Sequence, residues 1–94
     1  MKRHDPVLIS GCSSGIGAAT AEALVRDGHT VYATARRAET LGDLEALGCH
    51  PLAMDVTSET SMIAAVRTVE EEHGRVGTLI NNAGYGEYGP IEEA

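Results

Sequence analysis

The chain has no phenylalanine and no tryptophan, and its aromatic content rests on 3 tyrosines. A core without large rings must be filled by aliphatic side chains, so small residues that let elements approach closely carry more of the packing. Positive charge is also scarce. The 7 lysines and arginines face 14 aspartates and glutamates, a formal net charge of −7. That balance excludes the basic surface needed for nucleic acid or an anionic membrane, so any anion must be bound by local geometry. No apolar run is long enough to span a bilayer, and Val7, Leu8 and Ile9 behind "MKRHDP" are too few for the hydrophobic segment of a signal peptide. The 2 cysteines, Cys12 and Cys49, are too far apart for a CxxC redox or zinc motif. Without a secretory signal they read as free thiols, and a reducing cytoplasm is the expected location.

The composition, 43% hydrophobic and 22% charged, is that of a globular chain. Its 94 residues suffice for one small domain or a piece of a larger one. Val7 to Ile9 form a continuous apolar run ending at a glycine turn, which fits a strand buried on both faces. "GIGAATAEALVRDG" then has helical spacing, with Ala18, Ala21, Leu24 and Val25 as its apolar stripe and Gly28 as its stop. Residues 30–35, "TVYATA", read as a second strand with "RRAET" as its polar exit. Leu41, Leu44 and Leu47 mark a short helix closed by Gly48, and "CHPLAM" leads a third strand to Asp55, with Pro51 favouring a sheet edge. Thr57 or Ser58 caps a longer helix whose buried face is expected at Met62, Ile63, Val66 and Val69. "VGTLINNAG" is the fourth strand.

This βαβαβαβ order predicts an α/β, Rossmann-like, doubly wound parallel sheet in the order 3-2-1-4, truncated after the fourth strand. Residues 1–94 are thus expected to be a partial domain of this kind, with apolar surface beside the fourth strand left uncovered.

The first turn, "SGCSSGIG", admits two chemistries. Gly11, Ser13 and Gly15 match GxSxG, a turn that presents a serine nucleophile in α/β hydrolases. Gly11, Gly15 and Gly17 match GxxxGxG, which lays a dinucleotide phosphate on a helix N-terminus. The hydrolase reading needs an oxyanion donor from an earlier strand, and only "MKRHDP" precedes the first one. A P-loop is excluded, because Ile16 stands where its second glycine would be. In the phosphate reading Gly11 makes the turn, Gly15 admits the pyrophosphate, Gly17 lets helix and strand pack, and Ser13 and Ser14 add hydroxyl donors. The end of the second strand decides how the adenosine ribose is read. An acid there would take the 2′-hydroxyl of NAD, but the chain has Ala35 followed by Arg36 and Arg37. A guanidinium suits a 2′-phosphate, so NADP is preferred and NAD is the weaker choice.

With "SGCSSGIG", "MDV" and "NNAG" in this order, nearly the whole chain resembles the N-terminal, cofactor-binding half of short-chain dehydrogenases/reductases. The resemblance implies that Gly11, Ser13, Ser14, Gly15, Ile16 and Gly17 hold the pyrophosphate side and Arg36 the 2′-phosphate. It implies that Asp55 and Val56 meet the adenine, that Asn82, Ala83 and Gly84 line the cofactor, and that Asn81 braces the sheet. Ser10 replaces the family's usual threonine and keeps the hydroxyl. The family's catalytic serine and YxxxK pair are not in these residues: neither Tyr85 nor Tyr88 has a lysine four positions on, and Lys2 is the sole lysine. No catalytic residue is therefore assigned, and this chain alone is expected to be inactive. The complete protein would pass hydride between the nicotinamide and a small-molecule carbonyl or secondary alcohol, and is expected to be a homo-oligomer. The contrasting possibility is a non-enzymatic dinucleotide-binding or redox-sensing module. Elsewhere, "EEEH" at residues 70–73 reads as a solvated helix end rather than a metal site. Cys12, near a helix N-terminus, could have a lowered pKa or be a small packed residue.

Overall fold

The computed structural model describes residues 5–13 and 15–81. Strand β1 (Val7–Ile9) is followed by helix α1 (Gly15–Arg26), β2 (Val31–Ala35), a 3-10 turn (Ala38–Leu41), α2 (Gly42–Ala46), β3 (His50–Ala53), α3 (Glu59–His73) and β4 (Thr78–Ile80). All pairings are parallel and the strand order is β3-β2-β1-β4, as the alternation of elements predicts. Pro51 lies on an edge strand, where its missing N–H interrupts no inner ladder.

The side-chain alternation of β1 and β2 divides the core between two layers. Val7, Ile9, Val31, Ala33 and Ala35 pack with Ala21, Leu41, Leu44 and the two cysteines, on the side of α1 and α2. Leu8 and Tyr32 point the other way and pack with Met54 and with Ala65 and Val69 of α3. Both faces of the inner strands are covered, which is why β1 reads as an unbroken apolar run. Buried Thr34 avoids an unpaired hydroxyl by donating to the Ile9 carbonyl at 2.7 Å.

The α1 stripe is as expected, with Ala21 fully buried and Ala18, Leu24 and Val25 packed beside it. Gly28 and Gly48 stop their helices at φ of 93° and 110°. Two parts of the helical pattern differ. Leu47, the C-cap residue just past the end of α2 at Ala46, is 43% exposed. On α3, Ala65 and Val69 are the buried pair, whereas Ile63 is 49% exposed. Ile63 instead joins Met62 and Val66 along an apolar groove flanked by Glu59, Arg67 and Glu70. The helix meets the sheet through Ala65 and Val69, with Met62 and Val66 packed partly against the same layer, so the stripe is rotated away from Ile63.

Of the two candidate caps for α3, Ser58 is the one used, accepting from the Ser61 amide at 3.2 Å. The other end is not simply solvated. Tyr32 donates its hydroxyl to Glu72, and its ring stacks on His50 at 4.8 Å between centroids and meets His73 edge-on at 5.5 Å. Burial and the Glu72 carboxylate both push the Tyr32 phenol up from its ordinary value.

Candidate functional site

In a parallel sheet the loops leaving the strand C-termini lie on one edge. The candidate residues of the first three strands gather there. Leaving β1, Ser10 donates its amide to Ile80 at 2.9 Å and its hydroxyl to the Asn81 side-chain oxygen at 2.8 Å. Ser10 is buried, so this pair is a joint between β1 and the end of β4, the bracing role expected of Asn81. Gly11 follows at φ 69°, a left-handed conformation that favours glycine.

Cys12 is pinned next. Its amide donates to Thr34 at 2.8 Å and its thiol to Ile9 at 3.4 Å. Burial pushes this thiol up to about 11 and raises Cys49 as well, so both are packed residues and not activated nucleophiles.

The two later glycines act differently. A β-carbon at Gly17 would stand 2.8 Å from the Gly11 carbonyl carbon and 3.0 Å from the Cys12 α-carbon, so only glycine lets α1 sit against its own turn. Among the described residues, a β-carbon at Gly15 would meet nothing within 4 Å. The space over Gly15 is open, at the N-terminus of α1, beside exposed Ser13 and an Ile16 that is 75% exposed. The first-turn amides of a helix have no partners within it, and their positive end of the dipole suits an anion.

Arg36 leaves β2 at the same mouth, exposed and directly after buried Ala35. Asp55 and Val56 form the turn after β3, with Val56 partly buried against the α3 layer. The Asp55 carboxylate accepts the Thr57 amide at 2.9 Å and the Thr57 hydroxyl at 2.7 Å, while the Asp55 amide donates to the Ser61 hydroxyl at 2.9 Å. The Thr57 bonds and, to a lesser degree, the Arg36 charge hold this carboxyl below its ordinary value. Sequence reasoning did not single out Thr57 and Ser61 as supports of Asp55. The available signal was the Asp-x-Thr spacing, which permits an Asx-type turn. Ser14, Asn82, Ala83 and Gly84 lie outside the described residues.

Among the described residues, the nucleophile reading of Ser13 finds no histidine at its end of the sheet. His50 opens β3, His29 precedes β2, and His73 ends α3 with its ring on Tyr32. These three histidines cluster toward the strand N-termini, the opposite edge from Ser13. Among the described residues no group of three His, Cys, Asp or Glu side chains could hold a metal ion.

A sequence model described as short chain dehydrogenase matches residues 5–94. The chain belongs to that family. Among its relatives, the 17-beta-hydroxysteroid dehydrogenase type 1 of Homo sapiens is 45% identical over 98 aligned positions, which cover 92% of this chain and 29% of that protein. A short-chain dehydrogenase from Streptomyces avermitilis superposes with a TM-score of 0.79 at 41% identity, over 85% of this chain and 31% of that one. The 3-ketoacyl-(acyl-carrier-protein) reductase from Brucella melitensis, solved with NADH, superposes at 0.73 with 26% identity, over 80% of this chain and 32% of that one. The short-chain dehydrogenase segment described here spans about a third of the length of the curated relatives it matches.

Proposed function

We propose that this segment is the cofactor-binding part of a short-chain oxidoreductase that prefers NADP(H) to NAD(H) and acts on a small-molecule carbonyl or secondary alcohol. The observation that carries the reading is the end of β2, where an apolar Ala35 and an exposed Arg36 stand at the mouth that also holds the glycine turn. An acid at the strand end would repel a 2′-phosphate, and a guanidinium can bind it through paired N–H donors.

The space over Gly15, open among the described residues, fits a pyrophosphate, and Gly11, Ser13, Ser14, Gly15, Ile16 and Gly17 are assigned to that side of the cofactor. Asp55 and Val56 would meet the adenine, and Asn82, Ala83 and Gly84 would continue the groove toward the nicotinamide. A nicotinamide cofactor held here supplies the hydride acceptor or donor. These 94 residues contain no YxxxK pair, so their role is to bind and orient. The complete protein is proposed to be a cytoplasmic homo-oligomer that engages neither nucleic acid nor membrane. No described helix is long and apolar enough to cross a membrane.

Calorimetric binding of NADPH and NADH to the full-length protein tests the reading. NADPH should bind more tightly, and Arg36→Ala should weaken it about 10- to 100-fold, the loss expected for hydrogen bonds between charged groups. NADH binding as tight as NADPH in the wild type would overturn the preference. Full-length protein that binds cofactor but turns over no carbonyl or alcohol would favour a non-enzymatic dinucleotide module.

A further inference from the structure

Arg36 does not approach a ligand alone. The Ala35 carbonyl accepts from the Met54 amide at 2.9 Å, within a register that pairs Ala35 with Ala53. Arg36 and Asp55 each follow one member of that bonded pair, so they leave neighbouring strands together. Asp55 is also held in place. One of its carboxylate oxygens accepts both Thr57 donors, at 2.9 and 2.7 Å, and its amide is bound to Ser61 at 2.9 Å. The Arg36 charge is near enough to help keep that carboxyl ionised. A fixed anion therefore stands beside the cation before any cofactor arrives.

We propose that Asp55 is a specificity-determining residue: fixed by Thr57, its carboxylate competes with the 2′-phosphate for the Arg36 guanidinium and limits the preference for NADP(H) over NAD(H). This inference rests on Arg36 being the 2′-phosphate partner. The guanidinium has five N–H donors and can touch both anions, so the competition is electrostatic rather than steric. A phosphate brought to a partly neutralised cation gains less, and it is repelled by the carboxylate. NAD(H) carries a hydroxyl at the same position and meets neither effect. The adenine is common to both cofactors, so any loss of its contact with Asp55 cancels in the ratio of affinities.

The test is the ratio of NADPH to NADH affinity, measured by calorimetry on the full-length protein. Asp55→Asn should raise the ratio about two- to five-fold, the range for an exposed charge pair, and the gain should shrink in high salt. Asp55→Glu keeps the charge while disturbing the Thr57 contacts, and should leave the ratio near that of the wild type even if both cofactors bind more weakly. An unchanged or lowered ratio in Asp55→Asn overturns the inference. So does an equal rise in both variants, which would assign the effect to the turn. If the asparagine variant does not fold, Asp55→Ser, whose hydroxyl can still accept the Thr57 amide, replaces it under the same criteria. If Arg36→Ala leaves the wild-type ratio intact, the 2′-phosphate reading itself has failed and this inference with it. Failure of the inference alone looks different: Arg36→Ala abolishes the preference while Asp55→Asn does nothing.

Discussion

Gly17 stands against the backbone of Gly11, so that a β-carbon added to Gly17 would lie 2.8 Å from the Gly11 carbonyl carbon. Neither partner is a flexible side chain, and the turn itself would have to move. Gly17→Ala should cost about 1–3 kcal/mol of stability, as overpacking does, and should lose NADPH binding with it. Gly15→Ala should separate the two effects. Its β-carbon meets none of the described residues and replaces glycine in a helix, so stability should hold or rise by up to about 1 kcal/mol while NADPH affinity falls. Thermal denaturation and calorimetry on both variants check this. Equal behaviour of the two glycines would refute the assignment of separate roles.

Thr57 sets the ionisation of Asp55. Its hydroxyl and amide are the largest influences lowering that carboxyl from 3.8. Because the folded value is depressed, Asp55 contributes stability above the ordinary carboxylate range, and the contribution is lost as pH falls through the lowered value. Thr57→Val removes the hydroxyl bond and keeps the amide. The Asp55 titration, followed by carboxyl carbon NMR, should move upward toward its ordinary value, and the stability that Asp55 loses in acid should become smaller. A titration that stays in place would mean that the hydroxyl bond does not exist in solution.

Cys12 should be inert in the folded chain. Burial raises its thiol from 9.0 to about 11, so at neutral pH almost no nucleophilic thiolate forms. Alkylation by iodoacetamide should proceed no faster than unfolding for Cys12, and slowly for Cys49. The raised value also has a stability consequence. Above about pH 9 the unfolded thiol ionises and the folded one does not, so stability should fall between pH 9 and 11, and Cys12→Ala should flatten that fall. Rapid labelling of native protein would contradict the packing.

The groove along α3 should bind apolar probes. Met62, Ile63 and Val66 form it, and Leu79 of β4, on the same sheet face as Leu8, is 41% exposed. The isolated 94-residue chain should enhance the fluorescence of a hydrophobic dye. Ile63→Glu should reduce that signal while changing stability by no more than about 0.5 kcal/mol, because the side chain is outside the core. A large loss of stability would show that Ile63 is packed.

Much of this arrangement is legible in the letters because it depends on neighbours in sequence. The run Val7 to Ile9 needs burial on both faces. The spacing of Gly11, Gly15 and Gly17 needs a tight turn, and Gly28 and Gly48 stop helices through their own backbone freedom. Alternation of strands and helices then leaves few topologies, and β3-β2-β1-β4 is the usual one. The less legible features depend on what lies across a gap. Thr57 and Ser58 are equivalent caps on paper, yet one holds Asp55 and the other starts α3.

Sequence alone determined the parallel α/β frame, the glycine turn after the first strand and the arginine after the second, because local backbone preference and side-chain periodicity specify them. Only the tertiary structure decided that Ala65 and not Ile63 faces the sheet, that Tyr32 gathers Glu72, His50 and His73, and that Arg36 and Asp55 emerge as neighbours. Each of those depends on how far a helix rotates against the sheet, or on which residues a strand register sets side by side. Both are fixed by packing between segments distant in the chain.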